Sequence, residues 1–299
     1  MNASVKIFDQ EIVLPDRELQ ASAASLLGFE ARCERIQSQL RLMLAGPELE
    51  LWNRRHHAGR LALCSQVAQQ YPLIIFHGDV GTGKTAMAAA LADRVVRDAR
   101  AEDSVLFKLS NRVRGSGHVG EMGSLLSEAF AKVALTAGKG RRAILIIDEG
   151  DSLGADRGQA NSHHEDKVAV NTMIQAIDDL RRYNGRVVVI LCTNRYSVLD
   201  PAIVRRAAVT EEFTRPNPQE RRDLLRMDLQ GLDLSEAQIG QLVTATGASG
   251  DRPDWTYSDI RTRLYPKAMA AAFPAEPLRF EHLARAAGAL RPSPVMRDR

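Results

Sequence analysis

The chain has 299 residues, 44% apolar and 26% charged, with 40 basic against 37 acidic side chains and a net charge of +3. That length carries one large domain plus a small one, and the near balance of charge argues against a surface built to wrap nucleic acid. Three cysteines far apart in sequence (Cys33, Cys64, Cys192) form neither a disulfide framework nor a zinc ribbon, and no apolar run is long enough to span a bilayer.

The opening "MNASVKIFDQEIVLPD" carries charges and a proline where a signal peptide needs an apolar core, so a soluble, cytoplasmic protein is expected. Residues 1–23 read as a loosely attached tail. From "ELQASAASLLGFEARCERIQSQLRLML" onward the spacing of Leu26, Ile36, Leu40 and Leu44 predicts helix. Short apolar runs then alternate with amphipathic stretches. The runs "PLIIF", "SVLFKL", "AILIID" and "RVVVILCT", with a weaker "AVTEEF", predict strands. Between them "KTAMAAALADRVVRDA", "EMGSLLSEAFAKVAL" and "EDKVAVNTMIQAIDDLRRY" predict helices, the last with Val170, Met173, Ile174 and Ile177 on one face. Continuous β-branched runs separated by helices imply a parallel sheet covered on both faces. After "RPNP" the strands stop and the rest of the chain is helical, with Ser235 and Gln238 forming a capping box. An α/β domain over residues 24–215 and a small all-helical domain over residues 216–299 are expected.

"GDVGTGKT" matches G-x-x-x-x-G-K-[ST] between a strand and a helix. Gly78, Gly81 and Gly83 let the loop bend so that backbone N–H groups, including those of Asp79, Val80 and Thr82, enclose a phosphate. The next helix adds its positive end, Lys84 reaches the terminal phosphates and the Thr85 hydroxyl ligates Mg²⁺. In "AILIIDEGD" an apolar strand ends in Asp148 and Glu149. Asp148 sits beside the metal and Glu149 is placed to orient or deprotonate a water. Asp151 reads as a turn or capping residue. A further strand ends in Thr193-Asn194, where an amide can position the attacking water, although a turn-forming Asn fits the same pattern. "LDPAIVRRAAV" carries Arg205 and Arg206 on a short helix, either as a solvated face or as an arginine finger.

This order of motifs resembles the AAA+ ATPase family from about residue 24 to 290. The resemblance implies an α/β core with a five-stranded parallel sheet and a small helical lid, binding ATP and Mg²⁺ and working as a homo-oligomer, a hexameric ring. It further implies Asn194 at the sensor-1 position, and Arg206 as finger with Arg205 second. Arg261 of "YSDIRTRL" takes the sensor-2 position with Arg263 second, and Gly28 of "LLGFE" lies in the adenine-lining segment. "FKLSNRVRGSGHVGEMGSLLSEAFAKV", "IIDEGDSLGADR" and "EDKVAVNTMIQAIDDLRRYNGRVVVILCTN" are similar to the pachytene-checkpoint branch, which includes thyroid-receptor-interacting protein thirteen. That branch partly unfolds HORMA-domain proteins, and its bacterial members are associated with cGAS-like nucleotidyltransferases in antiviral signalling. A HORMA-domain substrate is therefore implied, with neither nucleic acid nor membrane as partner. The competing reading is an AAA+ ATPase that loads or remodels a nucleic-acid complex.

One motif misleads. "GSGHVGEM" has the outward form of a dinucleotide fingerprint, Gly-x-Gly-x-x-Gly, after a strand and before a helix. A dinucleotide loop needs its first glycine close to the strand end, and here Ser110 to Arg114 intervene. By resemblance this segment is the substrate pore loop, with Gly115, Gly117 and Gly120 supplying mobility and His118 and Val119 gripping the substrate. No aromatic residue lies between Phe107 and Phe130, where the relatives carry one.

Overall fold

The structure, a computed structural model, describes residues 6–68, 70–114, 120–153 and 164–296. The proposed grip residues His118 and Val119 lie outside the described residues. The chain divides into two compact units. The first runs to His77 and resumes over Thr85–Glu212; the second takes Gly78–Lys84 and the described chain from Phe213 onward.

The first unit opens with strand β1 (Phe8–Leu14) and helices α1 (Arg17–Ala24), α2 (Phe29–Leu44), α3 (Gly46–His57) and α4 (Leu63–Ala68). The α/β alternation comes next: β2 (Leu73–Gly78), α5 (Lys84–Asp98), β3 (Ser104–Leu109), α6 (Glu121–Ala137), β4 (Ala143–Ile147), α7 (His164–Leu180), β5 (Val187–Thr193), α8 (Pro201–Val204) and β6 (Ala207–Phe213). These strands form one sheet in the order β1-β3-β4-β5-β2-β6. The β3–β4, β4–β5 and β5–β2 pairs are parallel.

Every residue of β4 and β5 is buried, as a strand covered on both faces requires. Alternate positions of the sheet, among them Ile75, Leu145 and Val189, share a core with Leu126, Phe130 and Val133 of α6 and Val170, Met173 and Ile177 of α7. The intervening positions, such as Ile74, Ile146 and Ile190, are equally buried on the other side. None of the three cysteines forms a disulfide and all are buried, and burial pushes the Cys33 thiol up to about 12, so it behaves as an inert core group.

Two expectations need correction. The segment taken as a loose tail carries β1, which pairs antiparallel with β3 from Phe8↔Leu109 to Leu14↔Ser104, so the sheet has a sixth strand beyond the five expected. Only Phe8 and Leu14 of this strand are buried. The charged middle of "FDQEIVL" faces outward from an edge, which is why it lacks the apolar run of a central strand. The second correction concerns the first helix. The continuous stretch expected from residue 18 is broken after Ala24, and Gly28 caps α2 with a φ of +69° that other residues rarely adopt.

The second unit is helical: α9 (Pro218–Asp228), α10 (Glu236–Ala245), a π-helical turn over Asp259–Leu264, α11 (Tyr265–Ala272) and α12 (Phe280–Ala289). The Ser235–Gln238 capping box is present at α10, and Asn217 with Glu220 forms another at α9. Leu224, Leu242, Ile260, Leu264 and Leu283 form its buried interior.

Candidate nucleotide site

In the second unit the loop leaving β2 is shaped by its glycines. Gly78, Gly81 and Gly83 have φ of +127°, +75° and +95°. A Cβ at Gly78 would collide with the Phe213 carbonyl. One at Gly81 would come within 2.8 Å of the Thr256 hydroxyl and 2.9 Å of the Ser258 Cβ. Only glycine fits both positions. Lys84 Nζ donates to the carbonyls of Gly78 (3.0 Å) and Asp79 (2.7 Å), and the Thr82 hydroxyl donates to Asp79 O (2.7 Å). Val80 N–H donates to the Asp79 carboxylate, and Ser258 N–H donates to Gly81 O. Asp79 is also ion-paired with Arg215 at 2.6 Å.

In the first unit the acids sit where strands end. The Thr85 hydroxyl donates to Asp148 Oδ2 at 2.9 Å, joining the start of α5 to the end of β4. Lys108 of β3 stands 3.6 Å from the same oxygen. Glu149, the next residue, is exposed and holds φ at +50°, a left-handed conformation that strains a non-glycine residue. Gly150 behind it packs against Leu191, where a side chain would clash. Thr193 lies opposite His77 in the β5–β2 register; its hydroxyl donates to Asp151 at 3.0 Å and accepts from Arg195 N–H. Asp151 thus fixes the strand end from which half-buried Asn194 projects, a role beyond the turn or cap expected of it. The His77 and Tyr196 rings stack at 4.3 Å on the same edge.

The two finger candidates have opposite surroundings. Arg206 is buried and forms a fork to Asp178 at 2.5 and 2.8 Å, with a third bond to Ala202 O. Its hydrogen bonds hold the Asp178 carboxyl below the usual carboxylate range. Arg205 caps α8 and is exposed. The ranking expected from sequence, Arg206 before Arg205, therefore meets a geometric objection, because Arg206 is committed within its own chain. Both sensor-2 candidates are paired inside the second unit: Arg261 forks to Asp228 (2.7 and 2.7 Å), and Arg263 meets Asp259 at 3.0 Å. Gly28 lies at the α2 cap in the first unit.

Four partners escaped the sequence reading: Lys108, Arg215, Asp178 and Asp228. Lys108 was the most accessible, as a lone lysine inside the apolar strand "SVLFKL" beside the strand that ends in Asp148.

Residues 74–216 match the model of the AAA family, ATPases associated with various cellular activities. An Escherichia coli (strain KTE188) relative named CD-NTase-associated protein 6 is 61% identical over 292 residues, covering 98% of each chain. The chain belongs to the AAA ATPase family. Among solved structures, the HORMA:CdnC:Trip13 complex of E. coli MS115-1 superposes with a TM-score of 0.87, at 35% identity and 97% coverage of both chains. Trip13 of Rhizobiales matches with a TM-score of 0.72 and 31% identity, over 96% of this AAA chain and all of that one. The AAA family implies nucleotide binding. No helix among the described residues is long and apolar enough to cross a membrane.

Proposed function

We propose that this AAA protein hydrolyses ATP in a ring of copies, six by resemblance, and spends that energy remodelling a HORMA-domain protein that serves a CD-NTase in antiviral signalling. One observation carries the chemistry: the Thr85–Asp148 hydrogen bond with Glu149 adjacent and exposed. A hydroxyl and a carboxylate side by side are hard oxygen donors suited to Mg²⁺, which takes a carboxylate and substrate phosphates while keeping several waters. Bound there, the metal would neutralise charge on the phosphates during transfer. The P-loop amides and Lys84 hold the phosphates, Glu149 takes the proton of the attacking water, and Asn194 orients that water. The HORMA partner is supported by the likeness to relatives named for, or solved with, such a system.

Arg205 is the better finger. It is exposed and can reach a neighbouring copy, whereas Arg206 would first have to leave Asp178. The grip on substrate remains assigned to His118 and Val119 by resemblance.

The test is Glu149→Gln, measured with purified HORMA protein from the same system. ATP binding is expected to persist, turnover to fall about 10²–10⁴-fold, and the HORMA protein to co-purify with the trapped ring. Near-normal turnover would remove Glu149 from its role. Stimulation of the unsubstituted protein by DNA rather than by HORMA protein would overturn the remodelling assignment.

A further inference from the structure

Asp79, the second residue of "GDVGTGKT", accepts side-chain hydrogen bonds from residues far away in the sequence. Asp79 is 12% exposed and Arg215 10%. The Arg215 guanidinium donates to Asp79 Oδ2 at 2.6 Å, Asp254 O at 2.5 Å, Ser293 O at 2.9 Å and Pro294 O at 2.9 Å. Met296 N–H then returns to Asp79 Oδ1 at 3.2 Å, closing a ring of contacts between residues 217 positions apart. A second carboxylate repeats the pattern. Asp259 is fully buried, accepts from Ser293 N–H (3.1 Å) and the Ser293 hydroxyl (2.7 Å), and also receives Thr256 N–H and Arg263. Thr256 and Ser258, just before Asp259, press on Gly81.

We propose that Arg215 and the segment Ser293–Met296 are positioning elements of the phosphate loop, acting through the carboxylate of Asp79. The loop needs three left-handed glycines to form, so its own backbone resists ordering more than any other residues would. A buried, charge-assisted arginine contact supplies the missing order at one point. Arginine suits that point because its planar donors satisfy one carboxylate and three carbonyls at once, which a lysine ammonium cannot do in the same plane. Ser293–Met296 supplies two of those carbonyls and one N–H, and Asp259 pins it from the other side. The loop that holds the phosphates is thus shaped by the far end of the described chain. ATP affinity then depends on residues that never touch the nucleotide.

This inference rests on the nucleotide-site reading, and ATP affinity tests the two separately. ATP·Mg²⁺ binding is titrated calorimetrically in full-length Glu149→Gln protein, with thermal unfolding confirming that each variant folds. Arg215→Gln is expected to weaken ATP tenfold or more. Met296→Pro, which deletes the one N–H that the Ser293–Met296 segment donates to Asp79, is expected to weaken it two- to fivefold, and it tests the idea even if Arg215→Gln fails to fold. The double variant is expected to bind as Arg215→Gln alone, because the two contacts converge on one carboxylate. With Glu149 intact, the loss should appear in KM for ATP rather than in kcat. Unchanged affinity in folded Met296→Pro, or losses that multiply in the double variant, would overturn the proposal. Absence of ATP binding by the unsubstituted protein would overturn the nucleotide-site reading, and this inference with it.

Discussion

The strand-end edge of the first unit and the helical second unit use their charges in opposite ways. At the strand ends Glu149 and Arg205 are exposed, and Asp148 is half-buried beside Thr85. In the second unit Arg215, Arg221, Arg261 and Arg263 each meet an acid at 3.0 Å or less. Charges held in short ion pairs of that kind position groups; exposed charges are the ones that a substrate or a neighbour can meet. The difference teaches where to look for chemistry in this protein. Arg205 and Arg206, two consecutive residues, have opposite surroundings, one exposed and the other forked to Asp178.

The comparison can be broken most decisively at those two residues. Arg205→Ala is expected to lower ATP turnover by about 10³-fold or more while leaving nucleotide affinity and melting temperature nearly unchanged. Arg206→Ala, by contrast, should lower the melting temperature by exposing Asp178 to an unpaired state. Steady-state turnover with calorimetric binding and thermal unfolding reads both, and a reversed pattern would restore Arg206 as finger. Next in size, Thr85→Ala should raise the Mg²⁺ concentration needed for half-maximal turnover by about tenfold, since one of two oxygen donors is lost; a Mg²⁺ titration at saturating ATP decides it. In the second unit Arg221→Ala removes bonds to Pro216 O and Asp254 from a buried site and should destabilise the protein by about 2 kcal/mol in urea. Ser235→Ala, which removes the α10 cap, should destabilise by about 1 kcal/mol.

The smallest expected effect is on pH dependence. The fork to Arg206 lowers the Asp178 carboxyl in the folded state relative to the unfolded chain. Its stabilisation is therefore fully present above about pH 5 and is lost as pH falls through the folded value. Asp178→Asn should flatten that acid limb in thermal unfolding followed from pH 7 to 3; an unchanged limb would mean the pair contributes nothing.

Much of the fold was legible because central parallel strands must be apolar on both faces. "SVLFKL" marks Ser104–Leu109 as β3, and "AILIID" and "RVVVILCT" overlap β4 and β5 to within a residue at each end. The loop between β2 and α5 and the strand that ends before Asp148–Glu149 were legible because a glycine-rich spacing and an apolar run mark them locally. β1 was not, since an edge strand buries only its two end residues and its charged middle looks like a tail. The pairings of Arg206 with Asp178 and Arg215 with Asp79 were not either. They join positions 28 and 136 apart, and nothing local to either arginine names its partner.

The backbone at Glu149 sets stability against activity at a single residue. A left-handed conformation is natural for glycine and strained for glutamate, so Glu149→Gly would relax the turn while deleting the carboxylate. With Glu149 in its proposed role as base, a screen of this protein for heat resistance alone would therefore be drawn toward variants at position 149 that no longer hydrolyse ATP. Selection on thermal survival and selection on turnover would pull this one codon in opposite directions.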